Sequence, residues 1–166
     1  MNATREVLTV GHSTHPIERF VELLTGHEVT ALADVRRFPG SRRNPQFGAQ
    51  PLAASLEAAG IAYEPFGDEL GGRRRAPRRG STWRNPSIAA YAEHTEAPEF
   101  ARGLERLEEL AVGARTAIMC AEADWRRCHR RLIAEVLVTR EWRVSHVGPD
   151  GRLEEHPASL DQVLDR

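Results

Sequence analysis

The sequence predicts an α/β fold in which a mostly parallel sheet of about five strands carries helices on both faces. Short apolar runs alternate along the chain with helix-periodic segments, a pattern typical of parallel strands joined by helical crossovers. The runs at residues 29–35 and 114–120 are apolar nearly throughout, as strands covered on both faces are. A length of 166 residues suits one domain, so we expect a single α/β domain over residues 1–166.

Five strands are expected from the short β-rich or apolar runs, at residues 6–10, 29–35, 61–66, 114–120 and 143–147. Five helices are expected between and after them, at residues 16–25, 51–59, 87–94, 98–112 and 124–140. Pro16 suits the first turn of the first helix, and Gly60 suits the end of the second. Residues 67–86 are rich in arginine and too irregular for a regular element, so we expect a flexible loop there.

Composition excludes several classes of protein. The formal net charge is only -1 at pH 7, which argues against a protein that coats DNA through a general positive charge. No apolar run has membrane-spanning length and no charged-then-apolar leader is present, so we expect a soluble cytoplasmic protein. Two cysteines suit a reducing compartment. All 23 basic residues are arginine, whose guanidinium group binds carboxylate and phosphate bidentately.

Charged and nucleophilic side chains follow the predicted strands at the point where each strand ends. The carboxyl ends of parallel strands meet at one edge of a sheet, where binding crevices form in open α/β folds. We therefore expect one polar crevice at this edge, to which the third strand would add Gly67 and Asp68 and the fifth strand His146. Its main residues follow the first, second and fourth strands. Its expected residues from these segments are His12, Ser13, Asp34, Arg36, Cys120 and Glu122.

Five short motifs occur in order along the chain: GHS at 11–13, DVRxxPxS at 34–41, GIxY at 60–63, LGG at 70–72 and CAEx5CHR at 120–130. Together they resemble the bacterial and archaeal family known as domain of unknown function 488, over nearly the whole chain. The resemblance implies a Rossmann-like fold, whereas the family has no firmly assigned activity. It also adds motif residues to the expected substrate-binding set, namely Gly11, Ser41, Tyr63, Gly71 and Gly72. The segment between the LGG motif and residue 86 holds more arginine here than the family pattern demands.

Cys128 is the first candidate for a nucleophile. It lies in the first turns of the helix predicted at residues 124–140, among several arginines that include Arg130. A helix N-terminus and nearby guanidinium groups favour the thiolate over the thiol. His129 could accept the cysteine proton. Asp34 and Glu122 are further candidates for a general base, since a carboxylate at a buried strand end is open to a raised pKa.

Cys120 is the second candidate nucleophile, and two other interpretations apply to it. It forms a C-x5-R spacing with Arg126, which cradles oxyanions in cysteine phosphatases. Glu122 and Asp124 lie within that loop and would repel such an anion. Cys120 and Cys128 could also form a redox pair, which depends on a geometry that the sequence leaves open.

A metal site is the alternative to cysteine catalysis. Soft and borderline donors that could hold Zn or Fe are Cys120, Glu122, Cys128, His129 and His12. The local C-x7-C-H spacing lacks the close C-x2-C pairs of structural zinc sites. A metal-dependent hydrolase or lyase therefore stays open, with no ligand set assigned.

The arginine-rich segment predicts the charge of the substrate. Residues 71–80 hold five arginines and Trp83 follows them, so this segment could close over phosphate groups while the indole stacks on a base. We expect an enzyme of unassigned reaction class, in which Cys128 or Cys120 attacks an anionic nucleotide or nucleic acid. Arg36 or Arg130 would bind the charge of that substrate. A non-catalytic nucleic-acid-binding module is the alternative, and no protein partner is predicted.

Overall fold

A six-stranded sheet forms the centre of the computed structural model, which describes residues 5–40, 42–75 and 83–158. Its strands are β1 (Glu6–Gly11), β2 (Ala31–Asp34), β3 (Ala62–Pro65), β4 (Thr116–Cys120), β5 (Arg143–Val147) and β6 (Leu153–Glu155). Their order across the sheet is β3-β2-β4-β1-β5-β6. The first five strands are parallel, and β6 pairs antiparallel with β5. The predicted α/β class with a mostly parallel, Rossmann-like sheet is confirmed.

Six helices flank the sheet in the described part of the chain: α1 (Ile17–Thr25), α2 (Ala49–Ala58), α3 (Gly67–Leu70), α4 (Pro86–His94), α5 (Pro98–Gly113) and α6 (Arg130–Thr139). Buried residues of α1 and α2 pack on one face of the sheet, and those of α3 to α6 pack on the other. None of these helices combines the length and the apolar character that crossing a membrane requires. The two-faced arrangement explains why every residue of strands β2 and β4 is buried.

Alternation along the strands divides the core into two clusters. Ala117 and Met119 of β4 enter the cluster formed with α1 and α2. Ile118 and Cys120 alternate with these two residues along the strand. They belong to the cluster formed with α3 to α6. Cys120 therefore faces the side of the sheet that α6 covers.

The carboxyl ends of the three central parallel strands meet at one edge of the sheet. Strand β4 lies between β2 and β1, and its last residues pair with theirs. Gly11 is opposite Cys120, and Asp34 is opposite Met119. The segments that follow β1, β2 and β4 therefore leave the sheet side by side, as the parallel fold predicts.

The predicted helix over residues 124–140 is wrong in its first half. Residues Trp125–Arg127 form a single 3-10 turn, and α6 begins only at Arg130. Asp124 caps the 3-10 turn by accepting the N–H of Arg126 on its side chain at 3.0 Å. Cys128 then adopts an extended conformation that interrupts the helical path. Cys128 therefore precedes the helix instead of lying within its first turns.

Three other differences lie at the borders of the fold. The short strand Leu153–Glu155 was not predicted, because its three residues are exposed and form no apolar run. Strand β3 is largely exposed as an edge strand, although an apolar strand was predicted there. Residues Gly67–Leu70 form a helical turn anchored by buried Leu70, so the predicted irregular loop over 67–86 is wrong at its start. Residues 76–82 of that loop lie outside the described residues.

Candidate functional site

A cavity of about 580 Å³ opens at the carboxyl edge of the sheet. Segments after β1, β2 and β4 form its wall together with residues near the starts of α4 and α6. Its volume lies in the range of small-molecule sites. The predicted site residues that line it are His12, Ser13, Arg36, Gly72, Cys120, Glu122, Cys128 and His129.

Two sulfur atoms lie side by side in the wall of this cavity. The Sγ atoms of Cys120 and Cys128 are 2.8 Å apart, and the two residues are 2% and 6% exposed. The contact forms because the chain after β4 makes the 3-10 turn Trp125–Arg127 and returns to the end of its own strand. With His129 and Arg130, these residues form what we term the Cys128 cluster.

Three hydrogen-bonding groups converge on the sulfur of Cys128: the Cys120 thiol at 2.8 Å, the backbone N–H of Arg130 at 3.4 Å and Nδ1 of His129 at 3.5 Å. Burial acts to raise the pKa of Cys128, but the Cys120 hydrogen bond and the charges of His129 and Arg130 hold that pKa well below its usual value. Burial, reinforced by Cys128, raises the pKa of Cys120 well above its usual value. These directions favour the thiolate at Cys128 and the protonated thiol at Cys120.

The imidazole of His129 is oriented by the backbone. Its Nε2 lies 2.8 Å from the carbonyl oxygen of Val35, which can only accept a hydrogen bond, so Nε2 carries a proton. The other nitrogen, Nδ1, then faces Cys128 and can take the thiol proton. The ring of Tyr91 packs at 5.0 Å between centroids. A thiol, an imidazole nitrogen and an orienting carbonyl thus lie in a row, an arrangement that can activate a cysteine.

Arg130 supports the Cys128 cluster from outside the cavity lining. Its guanidinium donates to Oγ1 of Thr9 at 3.0 Å and to the backbone oxygen of Glu122 at 2.6 Å. Burial disfavours its charge, whereas the neighbouring sulfurs of Cys120 and Cys128 hold the pKa of Arg130 above its usual value. Arg130 does not line the cavity, so the structure places this predicted substrate-binding residue behind the thiolate.

A second polar group, which we term the Asp34 cluster, joins Asp34, Arg36 and Tyr63. The carboxylate accepts from the backbone N–H, Nε and Nη2 of Arg36 at 3.0, 2.9 and 2.7 Å, and from the Tyr63 hydroxyl at 2.5 Å. Arg36 also donates to the backbone oxygen of Phe47. Asp34 is 1% exposed and does not line the cavity. The residue predicted as a general base is thus the fully engaged counter-charge of Arg36.

His12 is held as a neutral ring in the cavity wall. Its Nδ1 donates to the backbone oxygen of Ser13 at 2.8 Å, and its ring stacks on Phe47 with centroids 4.3 Å apart. Burial lowers the pKa of His12, and the positive charge of Arg36 acts in the same direction. The free lone pair on Nε2 faces Nη1 of Arg36 at 3.4 Å. His12 therefore links the wall of the cavity to the Asp34 cluster.

Glycines in the GHS and LGG motifs allow close packing around the site. A Cβ atom on Gly11 would lie 2.0 Å from the backbone oxygen of Glu122, so only glycine lets the two strand ends approach. A Cβ on Gly72 would lie 3.0 Å from Nδ1 of His129. Gly71 packs in the same manner against Gly67. Gly72 lines the cavity, whereas Gly11 and Gly71 do not, so both serve the packing of the site.

The cavity mouth carries more arginine than carboxylate. Arg37, Arg73 and Arg127 join Arg36 in the lining, against Glu122 as the single acidic residue among the described lining residues. Arg36 is neutralised by the Asp34 cluster, so the other three supply the positive charge. Arg73 and Arg127 are exposed and Arg37 is half-buried, so their guanidinium groups can meet an anion that enters the cavity.

Phe38 lines the same mouth and is 64% exposed. The guanidinium of Arg37 lies 5.9 Å from its ring centroid. Trp83, predicted to stack on a base, instead lies half-buried with the guanidinium of Arg131 at 5.0 Å from its ring. The sequence interpretation missed Phe38, although it follows β2 within the DVRxxPxS motif and the strand-end rule applies to it.

The two sulfurs are poorly placed to share a metal ion. Thiolates bound to tetrahedral zinc at about 2.3 Å lie about 3.8 Å apart, much further than the 2.8 Å between Cys120 and Cys128. Within the described residues, no group of three or more His, Cys, Asp or Glu side chains could hold a metal ion. The donor set as arranged therefore favours thiol chemistry over Zn or Fe.

The predicted site residues thus divide into three groups. Eight of them line the cavity, and those that do not are Gly11, Asp34, Tyr63, Gly71 and Arg130. Ser41 lies outside the described residues.

A family model described as "Domain of unknown function DUF488" matches residues 16–137 of the chain. The match covers four of the five motifs, and the GHS motif lies just before it. No significant match to a curated protein or to a solved structure accompanies it. The chain belongs to the DUF488 family.

Proposed function

We propose that the protein is an enzyme that uses the Cys128 thiolate as a nucleophile against an anionic substrate, a nucleotide or a nucleotide unit of a nucleic acid. One observation carries this proposal: His129, oriented by the carbonyl of Val35, and the N-terminus of α6 both face a thiolate in the wall of an arginine-lined cavity. This arrangement unites an activated nucleophile, a proton carrier and charge-binding groups.

The proposed chemistry proceeds in two stages. The sulfur of Cys128 forms a bond to the electrophilic centre of the substrate, and the bond from that centre to the leaving group breaks. His129, protonated at Nδ1, gives its proton to the leaving group. Water then attacks the covalent adduct, returns a proton to His129 and frees the thiolate. Arg130 stabilises the thiolate before attack, because its charge lies beside the sulfur.

The cavity mouth supports a nucleotide as the substrate class. Arg37, Arg73 and Arg127 offer guanidinium groups to phosphate, and exposed Phe38 offers a flat apolar surface to a base. A cavity of about 580 Å³ suits one nucleotide better than a duplex. We place the enzyme in the cytoplasm, where thiols stay reduced.

Competition between a nucleotide and a thiol reagent tests this function. The alkylation rate of Cys128 by iodoacetate is measured by mass spectrometry with AMP, adenosine or ribose 5-phosphate present. We expect AMP to slow alkylation at least about tenfold and adenosine to have little effect, because the arginines bind phosphate. Arg127→Ala should weaken AMP protection, whereas Arg152→Ala, remote from the cavity lining, should leave it unchanged.

Catalysis is tested separately from binding. Wild type, Cys128→Ser and Cys120→Ser are incubated with nucleotides and short single-stranded oligonucleotides, and turnover and covalent adducts are measured. We expect turnover and an adduct at Cys128 to disappear in Cys128→Ser. A different result would make the protein a binding module instead of an enzyme. In that case, wild type and Cys128→Ser bind AMP and oligonucleotides equally well, and neither turns over any substrate.

A further inference from the structure

The Cys128 cluster contains a second thiol that nucleophilic attack alone does not need. The Cys120 sulfur lies 2.8 Å from the Cys128 sulfur, and burial together with Cys128 raises the pKa of Cys120. This separation is only about 0.8 Å longer than a disulfide bond of about 2.05 Å. Any N–H or O–H group could donate a hydrogen bond to the Cys128 thiolate. At this site the neighbouring group is the Cys120 thiol, which can also form a covalent bond to sulfur.

The protonation states of the two cysteines suit sequential oxidation. Attack on an oxidant needs a thiolate, and the Cys128 sulfur accepts from three neighbouring groups that favour this form. Resolution of the oxidised sulfur needs a second thiol within reach, which Cys120 supplies. The roles are therefore unequal: Cys128 reacts first, and Cys120 second.

Access to the pair is limited to small molecules. Both cysteines line the cavity, yet each residue is almost fully buried. A cavity of about 580 Å³ has room for hydrogen peroxide, whereas the burial of both cysteines hinders contact with a thiol of another protein. An oxidised Cys128 would therefore meet Cys120 before any other thiol.

We propose that Cys120 and Cys128 form a reversible disulfide couple that reduces hydrogen peroxide. The Cys128 thiolate attacks one peroxide oxygen, so an S–O bond forms and the O–O bond breaks. The departing hydroxide takes the proton from His129 and leaves as water. The Cys120 sulfur then attacks the Cys128 sulfur, the S–S bond forms, the S–O bond breaks, and the released hydroxide leaves as water with the Cys120 proton. Two thiols lose two electrons, and one peroxide becomes two waters.

This couple rests on the proposed function because it needs the reactive Cys128 thiolate, and it adds a consequence for that function. The disulfide removes the nucleophile, so oxidation should suppress activity. A small thiol reductant restores both sulfurs by thiol–disulfide exchange. The same cavity would thus carry two-electron chemistry alongside nucleophilic catalysis.

Peroxide treatment followed by mass spectrometry tests the couple. Wild type, Cys120→Ser, Cys120→Ala and Cys128→Ser are exposed to hydrogen peroxide with dimedone present, and peptides are mapped before and after dithiothreitol. We expect wild type to lose two hydrogens as a Cys120–Cys128 disulfide that dithiothreitol reverses. Both Cys120 variants should accumulate a dimedone adduct on Cys128 at least about tenfold above wild type. Cys128→Ser should oxidise far more slowly.

Different outcomes distinguish a failure of the disulfide couple from a failure of the proposed function. If Cys128 of wild type reacts rapidly with iodoacetamide but peroxide yields a stable dimedone adduct or a sulfinic acid without the disulfide, the couple is wrong and the nucleophile stands. If Cys128 reacts with neither iodoacetamide nor peroxide in folded protein, both proposals fail. Circular dichroism of the two Cys120 variants verifies the fold, and either folded variant suffices for the comparison.

Discussion

The Asp34 cluster and the Cys128 cluster end neighbouring strands, yet they use buried charge in opposite ways. Each combines an anion, an arginine and a second proton donor at the carboxyl end of a strand. In the Asp34 cluster, donors engage both carboxylate oxygens and no atom of Asp34 faces the cavity. In the Cys128 cluster, the anionic sulfur belongs to a residue that lines the cavity.

The difference separates a structural ion pair from the site that we propose is reactive. A carboxylate bound bidentately by a guanidinium is neutralised and held in place. A thiolate stabilised by neighbouring donors stays nucleophilic where a substrate can reach it. Stability should therefore depend mainly on the Asp34 cluster, and reactivity mainly on the Cys128 cluster.

The largest expected change in stability comes from Asp34→Ala. Removing the carboxylate leaves Arg36 buried without its counter-charge, so we expect the free energy of unfolding to fall by about 3–5 kcal/mol. Urea denaturation followed by circular dichroism measures this change. The exposed Asp68→Ala serves as control and should change stability by less than about 1 kcal/mol. Equal losses in the two variants would contradict a structural role for Asp34.

His129→Gln should change reactivity more than stability. The variant removes the proton carrier and the positive partner of Cys128, so the thiolate is less favoured. We expect the alkylation rate of Cys128 near about pH 6 to fall about tenfold, with convergence toward wild type at alkaline pH. His27→Gln, which removes an imidazole bonded to the backbone oxygen of Gly151, is the matched control and should leave the rate unchanged. A pH-independent loss in His129→Gln would indicate altered access to the sulfur instead.

Tyr63→Phe should produce the smallest change in stability, and the size of that change depends on pH. Loss of the hydroxyl bond to Asp34 should lower stability by about 1–2 kcal/mol near neutral pH. Burial and this hydrogen bond to Asp34 raise the pKa of Tyr63 above its usual value of about 10. The stabilisation is therefore complete below about pH 10 and is lost as the pH rises beyond it. Wild type and Tyr63→Phe should converge in urea denaturation at high pH, and a gap that widens there would contradict this assignment.

The sequence predicts the strand ends well because their chemistry is local. Apolar β2 and β4 are recognisable from their own residues, and parallel pairing then brings the segments after Asp34 and Cys120 to one edge. The same reasoning could have included Phe38, which lies four residues after Asp34. Strand β6 has no apolar pattern to recognise, because antiparallel pairing with β5 holds it at an exposed edge.

The division of labour between the clusters depends on contacts between distant parts of the chain. Asp34 resembles a general base until Tyr63, from the next strand, and Arg36 are seen to engage both of its oxygens. His129 resembles an ordinary helix residue until the carbonyl of Val35 is found to orient its ring. Cys128 leaves the predicted helix because Asp124 caps a separate 3-10 turn. Tyr63 lies 29 residues from Asp34 and Val35 lies 94 residues from His129, so these two contacts have no local signature.

The pH dependence of alkylation, measured for each cysteine separately by mass spectrometry, tests the central assignment of charge most directly. With iodoacetamide, Cys128 should react as a thiolate well below the usual thiol pKa of about 8.5, while Cys120 stays slow over the same range. The Cys120→Ser variant shows whether the hydroxyl substitutes for the thiol as hydrogen-bond donor. A Cys128 that titrates as an ordinary thiol, or a Cys120 that reacts first, would contradict the account.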